Sequence, residues 1–382
     1  MARVQIITTY EHGAYAASEA LWLDFAEAAV TAGHEIEVLL GNSAKGHERT
    51  SALAPKGARL RYRASIPKSK LLQLMRKVWD RTLAAFCLSR LIDSRPDIRI
   101  LNVGTMSEIA LDPWARLLEE SEAPIGVIVH NSPEIRTYPR KTQQRLSRLL
   151  QSVARAYFVS DRLKNNAEEQ LLTRIPNVVT VRNPVNLDSY DMEPWPEDSQ
   201  VNLRFAVVGR LDAHIKGQIR LLHALSDDRW SQRNWSLTFF GEGPDRLKIE
   251  KAVAFYGLEG RVSFGGFVKN IRTEIWRKHH VLVMPSMLEG MPLALVEAMI
   301  CGRPEICSDV GGASELIRDE YNGFIAGAPF AGQLELALER LWAAREELES
   351  IGLRAAEAAH DFLPNEPGGD LLSDILQAID VG

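Results

Sequence analysis

The sequence predicts an α/β chain with two Rossmann-like, doubly wound domains. Short apolar runs, typical of buried parallel strands, alternate with segments of helical periodicity, beginning with Arg3–Thr9, Ser18–Ala32 and Glu35–Leu40. A second series begins with the apolar run Leu203–Val208 and the helical pattern Gln218–Leu225. At 382 residues the chain also exceeds the roughly 250–300 residues at which a single hydrophobic core stops growing.

Composition and motif positions predict the domain boundaries. We expect an amino-terminal domain over residues 1–185, an Asp-, Glu- and Pro-rich linker over 186–200, and a carboxy-terminal domain over 201–365. Residues 366–382 are predicted to form a final helix, which could cross back to the first domain. The helical pattern Gln333–Ala359 has Gly352 as its candidate break.

Charge and cysteine content exclude several classes of protein. A hydrophobic content of 46% and a charged content of 25% are ordinary for a soluble globular protein, and the net charge of -5 argues against a general nucleic-acid binder. Cys87, Cys301 and Cys307 lack metal-binding spacing and are interpreted as reduced thiols. The apolar run in Met1–Tyr10 is too short for a signal peptide, and no stretch reaches the ~18 apolar residues of a membrane span. These observations predict a cytoplasmic protein.

The stretch Lys56–Arg95 is strongly basic, with apolar residues interleaved at helical spacing. Two interpretations stay open. The stretch is either the solvated basic face of a core helix, or a surface that binds anionic lipid head groups or an acidic acceptor. The second interpretation places the protein peripherally at the inner face of the membrane.

The segment Val281–Met299 predicts a ligand site. A buried strand, Val281–Pro285, is followed by a turn and by a helix with Pro292 at its first position. Glu297 interrupts the apolar helix and Glu289 precedes it, although a buried carboxylate is costly unless it is hydrogen-bonded. The backbone N–H groups at the start of the helix form an anion site, so a ligand with hydroxyls and a phosphate would satisfy all these groups. The alternative is a structural Arg or Lys partner for Glu297 and a solvated loop position for Glu289.

Three further positions fit the same kind of ligand. Gly209-Arg210 ends the strand that opens the second half, and Lys216 follows in the same loop, so two cations flank a glycine turn where phosphate can approach the backbone. Gly265–Val268 forms a loop that could present backbone groups to a base. His130 lies at the carboxyl end of a predicted strand, where such folds bind ligands, although a lone His is usually structural.

Four signals in the second half occur in a fixed order, and together they resemble the retaining glycosyltransferases of family 4, which have the GT-B fold. The signals are Gly209-Arg210 with Lys216-Gly217, Gly241-Glu242-Gly243-Pro244, Glu289 with Glu297 eight residues later, and Asp309-Val310-Gly311-Gly312 with Glu315. The resemblance implies two Rossmann-like domains that face an interdomain cleft.

The resemblance also implies roles by position. Arg210 and Lys216 would hold the diphosphate of the donor, Glu289 would contact its sugar, Glu297 its ribose, and His130 the sugar from the other domain. The implied catalytic set is Arg210, Lys216, Glu289 and His130. The implied donor-binding set is Gly13, Gly209, Gly243, Phe267, Val268, Gly290, Met291, Pro292, Leu293 and Glu297.

The function implied is a retaining transfer of a hexose from a UDP-sugar or GDP-sugar, with UDP preferred, to a glycan, lipid-linked or small-molecule acceptor. No cofactor is expected, and the lack of an Asp-x-Asp sequence predicts no metal–diphosphate site. The alternatives are a sugar-nucleotide epimerase or phosphorylase of the same fold, or a non-catalytic nucleotide-sugar-binding protein. Two positions depart from the family pattern. His12-Gly13-Ala14 replaces paired glycines, and Glu305 replaces an apolar residue, for which we expect an edge or surface position.

Overall fold

The computed structural model describes residues 1–9, 17–63, 95–134, 137–197 and 202–380. The chain divides into two compact units, one formed by Met1–Pro184 with Pro364–Gly382 and the other by Val185–Leu363. Gly13, Cys87, residues 64–94 of the basic stretch and residues 198–200 of the predicted linker lie outside the described residues.

The first unit is built on a parallel sheet with the strand order β3-β2-β1-β4-β5-β6-β7. Its strands are β1 (Arg3–Thr8), β2 (Glu35–Gly41), β3 (Arg59–Arg63), β4 (Ile98–Val103), β5 (Ile125–Val129), β6 (Arg155–Phe158) and β7 (Val178–Thr180). Its described helices are α1 (Ala17–Thr31), α2 (Glu48–Ser51), α3 (Trp114–Glu120), α4 (Arg140–Ser152) and α5 (Asp161–Leu171), with 3₁₀ turns at Asn42–Ala44 and Met106–Ala110. Because the strand order reverses between β1 and β4, a topological switch point lies at their carboxyl ends.

The last helix of the chain, Pro367–Asp380, belongs to this first unit. Its apolar face packs with α1 in one buried cluster on the β1–β2–β4 face of the sheet. Asp374 accepts hydrogen bonds from the hydroxyl of Tyr157 at 2.7 Å and from Nε of Arg155 at 3.2 Å, and Asp24 caps the start of the helix at Gly368. Residues 364–380 therefore complete the core of a unit whose other residues precede Val185.

The second unit has a parallel sheet with the order β10-β9-β8-β11-β12-β13. Its strands are β8 (Leu203–Val208), β9 (Trp235–Phe240), β10 (Val262–Gly266), β11 (Val281–Met284), β12 (Glu305–Ser308) and β13 (Phe324–Ala326). Its described helices are α6 (Gln218–Leu225), α7 (Asp228–Ser231), α8 (Arg246–Phe255), α9 (Leu293–Ile300), α10 (Ala313–Leu316), α11 (Ala331–Ala343) and α12 (Leu348–Phe362), with a π-helical turn at Arg272–Trp276. The last helix, Pro367–Asp380, which belongs to the first unit, is α13.

Residues 186–197 of the predicted linker pack onto the second unit. The carboxylate of Glu193, whose side chain is 2% exposed, pairs with Arg272 at 2.7 Å and with Arg277 at 2.5 Å. The guanidinium of the fully buried Arg303 donates to the carbonyl oxygens of Glu193 and Pro194, and also stacks on Trp195. These contacts hold the segment on the second unit. Because the acidic residue Glu193 forms these ion pairs, the segment has the polar composition that also predicts a linker.

Two sequence-based expectations are wrong. The pattern Gln333–Ala359 breaks between α11 and α12 and not at Gly352. Gly352 lies inside α12, where a Cβ atom would lie 2.2 Å from the carbonyl oxygen of Gly302, so the glycine permits a close backbone contact. Glu305 is neither at an edge nor at the surface, because it is fully buried in β12 between β11 and β13.

Candidate nucleotide-sugar site

The loops that follow β8, β9, β11 and β12 meet at the carboxyl edge of the second sheet. The backbone N–H of Met287 donates to Ile215 at 2.7 Å, which joins the loops after β11 and β8. The N–H of Leu211 donates to Glu242 at 3.1 Å, and that of Gly312 donates to Gly290 at 2.7 Å. The motifs that the sequence places far apart are therefore joined by main-chain hydrogen bonds.

Glycine is needed at two of these contacts. Gly217 has a φ of +70°, and a Cβ atom there would lie 1.9 Å from the carbonyl oxygen of Pro285. At Gly243 a Cβ atom would lie 2.3 Å from the carbonyl oxygen of Leu211. Larger residues at either position would push apart the loops that carry the charged side chains.

Lys216 and Glu289 form an ion pair across two of these loops. The Nζ atom of Lys216 lies 2.5 Å from Oε1 of Glu289, and the hydroxyl of Ser286 donates to the same oxygen at 2.7 Å. The side chains of Lys216 and Glu289 are 28% and 10% exposed. The cation predicted to hold phosphate and the acid predicted to contact sugar are therefore in direct contact. The alternative of a solvated loop acid at Glu289 is wrong.

The loop that carries Lys216 is fixed by its own polar side chains. Asp212 accepts a hydrogen bond from the N–H of Ile215 at 3.1 Å, and Asp245 accepts one from Ala213 at 2.8 Å. Arg210 lies in the same loop with its side chain exposed, and within the described part of the chain its guanidinium has no hydrogen-bond or ion-pair partner. Gly209 lies beside Lys216, because a Cβ atom added at Gly209 would lie 3.9 Å from Cε of the lysine.

Helix α9 starts directly after the loop that carries Glu289. Gly290, Met291 and Pro292 are buried, and Pro292 precedes the helix with an extended ψ of 103° instead of occupying its first turn. Leu293 is the first helical residue. The first N–H groups of a helix have no partner within it, so this end of α9 provides donors for an anion.

Glu297 lies one turn further along α9 and contacts a different part of the unit. Its carboxyl accepts a hydrogen bond from the backbone of Asn186, and burial raises the pKa of Glu297 to about 8. No ion pair to Glu297 from Arg or Lys occurs within the ranges that the structure describes. At neutral pH the carboxyl is therefore mostly protonated, so it can both donate and accept hydrogen bonds.

The loop predicted to contact a base begins within β10. Gly266 accepts a hydrogen bond from the N–H of Gly241 at 2.7 Å, so this strand end is tied to the glycine loop after β9. The side chain of Phe267 is 77% exposed and that of Val268 is partly exposed. A role for either residue in donor binding stays a prediction.

His130 belongs to the first unit and lies directly after β5. Its Nε2 atom is 2.7 Å from Oδ1 of Asn102, whose Nδ2 donates to the carbonyl of Ser18 at 3.3 Å. Because the amide oxygen can only accept, Nε2 carries the proton and Nδ1 presents a lone pair, which has no partner among the described residues. Burial lowers the pKa of His130 to about 3, so the ring is neutral near pH 7.

The sequence did not single out Ser286 or Asn102. Ser286 lies directly after β11 and Asn102 near the end of β4, so each is a polar residue at the carboxyl end of an apolar strand. That position is the signal that could have identified both. Gly13 lies outside the described residues, so its predicted role stays a prediction.

The second unit contains a segment that matches a protein-family model. Residues 194–358 match the family model described as Glycosyl transferases group 1. This matched segment lies within the second unit and covers less than half of the chain. It holds Arg210, Lys216, Glu289 and Glu297, whereas His130 lies outside it.

Curated relatives match the chain over similar lengths. The "GalNAc-alpha-(1->4)-GalNAc-alpha-(1->3)-diNAcBac-PP-undecaprenol alpha-1,4-N-acetyl-D-galactosaminyltransferase" of Campylobacter jejuni is 33% identical over 140 residues, which are 34% of this chain and 37% of the relative. The lipopolysaccharide 1,6-galactosyltransferase of Salmonella typhimurium is 29% identical over 168 residues, which are 42% of this chain and 46% of the relative. The chain therefore spans less than half the length of each relative.

Solved structures resemble the chain over nearly its whole length. Anabaena HepE in complex with UDP-glucose has a TM-score of 0.72 at 18% identity, covering 99% of this chain and 100% of HepE. Sucrose-phosphate synthase from Thermosynechococcus elongatus has a TM-score of 0.73 at 17% identity, covering 99% of both chains. At such identities the likeness concerns the fold alone, and the two Rossmann-like units have the GT-B fold.

Two structural features are absent from the described residues. None of the helices described is both long enough and apolar enough to cross a membrane. Within the same ranges there is also no group of three or more His, Cys, Asp or Glu side chains arranged to hold a metal ion.

Proposed function

We propose that the protein is a retaining glycosyltransferase that moves a hexose from a nucleotide diphosphate sugar to an acceptor without a metal ion. The Lys216–Glu289 ion pair carries the proposal, because it joins two predicted site residues at the carboxyl edge of the second sheet, within the segment that matches the group 1 glycosyl transferase model. HepE, which shares the fold, is described in complex with UDP-glucose. This supports a UDP-sugar over a GDP-sugar as the donor.

In this proposal the ion pair opens when the donor binds. A phosphate oxygen replaces Glu289 as the partner of Lys216, and Arg210 adds a second cation from the same loop. Both cations then stabilise the negative charge that develops on the leaving nucleoside diphosphate. The N-terminal end of α9 adds main-chain donors, so fixed positive charge takes the place of a metal ion.

The released Glu289 is then able to accept hydrogen bonds from hydroxyls of the donor sugar. Glu297, whose raised pKa of about 8 keeps it mostly protonated, exchanges hydrogen bonds with the ribose hydroxyls. In the first unit His130 offers a neutral acceptor, Nδ1, to a hydroxyl of the sugar. Phe267 and Val268 would lie beside the base, with Gly13 near the phosphates.

For the acceptor we propose a glycan, with a lipid-linked saccharide favoured over a small molecule. The Campylobacter relative is named for an undecaprenol-linked saccharide and the Salmonella relative for lipopolysaccharide, and both names support this choice. Lys56–Arg95 would hold the protein at the inner face of the membrane, in keeping with such an acceptor. Nucleic acid is not a proposed partner.

The test is a transfer assay with a panel of UDP- and GDP-sugars, comparing the wild type with Lys216→Ala and with Lys248→Ala, a control at an exposed lysine of the same unit. Loss of Lys216 removes a transition-state cation, so kcat should fall about 10²- to 10³-fold, whereas the control should keep its rate. Activity should persist in EDTA.

Each alternative function predicts a different result in the same assay. Full turnover by Lys216→Ala with the true donor would refute the role of the cation. Turnover without any acceptor indicates an epimerase, and dependence on inorganic phosphate indicates a phosphorylase. Calorimetric binding of UDP without turnover across the acceptor panel indicates a non-catalytic binding protein.

A further inference from the structure

The backbone around Ser286 is fixed on both sides by the loop after β8. Ser286 itself is buried, with 1% of its surface exposed. On one side, the carbonyl oxygen of Pro285 packs so closely on Gly217 that a Cβ atom there would lie 1.9 Å away. On the other side, the N–H of Met287 donates to the carbonyl oxygen of Ile215 at 2.7 Å. The side chain of Ser286 therefore starts from a rigid position.

The hydroxyl of Ser286 bonds another side chain instead of the turn in which it lies. Serine hydroxyls in turns usually bond nearby backbone groups and so help to form the turn. Here the hydroxyl donates to Oε1 of Glu289 at 2.7 Å, and it makes no other hydrogen bond within the part of the chain that the structure describes. The turn does not depend on this hydroxyl, whereas the orientation of the carboxylate does.

The two donors that hold Glu289 share one of its oxygens. The Nζ atom of Lys216 lies 2.5 Å from Oε1, which is also the oxygen bonded by Ser286. The other oxygen, Oε2, accepts no hydrogen bond from any of the described residues. The protein thus holds one side of the carboxylate and leaves the other side for a ligand.

We propose that Ser286 is a positioning residue, which holds Oε1 of Glu289 after the ion pair with Lys216 has opened and so aims Oε2 at a hydroxyl of the donor sugar. The inference rests on the proposed function, in which a phosphate oxygen takes Lys216 away from Glu289. A glutamate side chain without a fixed partner would change rotamer and would lose the orientation that a directed hydrogen bond needs. The serine is suited to this task because it is a neutral donor that does not leave with the phosphate.

The first test compares the wild type with Ser286→Ala, using the donor that gives the highest rate in the panel of UDP- and GDP-sugars. Loss of a hydrogen bond to a charged group should lower kcat/KM about 20-fold. The calorimetric Kd for UDP, which has no sugar, should change less than about twofold. The control Ser263→Ala, whose hydroxyl pairs with Thr238 at 3.0 Å between β9 and β10, should keep the wild-type rate.

A double-mutant cycle separates positioning from a merely structural role. Ser286→Ala should stay folded, because the main-chain contacts on both sides of residue 286 are unchanged. In a Glu289→Ala background the carboxylate is missing, so Ser286→Ala should change kcat/KM less than about twofold. An equal loss in both backgrounds would overturn the proposal, because Ser286 would then act through the loop and not through Glu289.

Crystal structures of the wild type and Ser286→Ala with UDP give a test that does not depend on turnover. In the wild type, Lys216 should contact the diphosphate while Oε1 of Glu289 stays on the Ser286 hydroxyl. In Ser286→Ala, the Glu289 side chain should leave this rotamer, and an unmoved carboxylate would overturn the proposal. Absence of turnover by the wild type with every nucleotide sugar would instead refute the proposed function.

Discussion

Glu305 should make the stability of the second unit fall as the pH rises. The residue is fully buried in β12, and neither carboxylate oxygen accepts a hydrogen bond from another described residue. Desolvation therefore raises the pKa of Glu305 well above its usual value of 4.5. The folded protein holds a proton on this carboxyl that the unfolded chain releases.

The sign and size of the effect follow from proton linkage. Below about pH 4.5 the carboxyl is protonated in both states, and the full stability is present. At higher pH unfolding releases a proton, so the free energy of unfolding falls by about 1.4 kcal/mol per pH unit until the folded pKa is reached. Raising the pH from about 5.5 to about 7.5 should therefore lower the stability of the protein through this carboxyl, by at most about 1.4 kcal/mol for each pH unit.

The assay is urea unfolding of the wild type, Glu305→Gln and Glu259→Gln at both pH values, followed by tryptophan fluorescence. Glu305→Gln cannot ionise, so it should lose less stability than the wild type when the pH is raised. Glu259→Gln, at an exposed position, should behave as the wild type. A pH dependence that is identical in the wild type and Glu305→Gln would refute the reasoning.

Three further predictions concern the loops, the buried arginine and the histidine. Gly217→Ala should cost more than about 2 kcal/mol in urea unfolding because of its contact with Pro285, whereas Gly257→Ala, with a φ of +66° but open space, should cost about 1 kcal/mol. Arg303→Met should lower the free energy of unfolding by about 3 kcal/mol, because several buried carbonyl oxygens lose their hydrogen-bond donor. The control Arg318→Met, at an exposed position, should change it by no more than about 0.5 kcal/mol. Equal losses in the two variants would contradict this prediction. Asn102→Ala should lower kcat up to about 100-fold by freeing the ring of His130, with the calorimetric Kd for UDP unchanged; an unaltered kcat would remove Asn102 from the site.

Local sequence patterns predicted most of the elements, because the hydrophobic period of a strand or helix lies within its own residues. Leu203–Val208 and Gln218–Leu225 have the predicted bounds, since an apolar run and a helical period need no distant partner to be visible. The fold class was likewise predictable, because alternating strands and helices permit few arrangements other than parallel sheets.

The features that were not predicted depend on contacts between residues far apart in the sequence, and local patterns contain no information about such contacts. Gly352 looks like a helix break but permits contact with Gly302, and Glu305 looks like a surface residue but is buried. The pairing of Lys216 with Glu289, 73 residues apart, was also not predicted, although both residues were. Residue types at strand ends indicated which side chains matter, and only the folded chain shows which of them touch.

The packing of α13 on α1 has a consequence for biosynthesis. During translation the second unit leaves the ribosome complete, while the earlier unit still lacks the helix that covers Leu21 and Phe25. The first part of the chain to be made is therefore the last to close its core, and a product that stopped short of Leu371 and Ile375 would expose that apolar surface to chaperones and proteases.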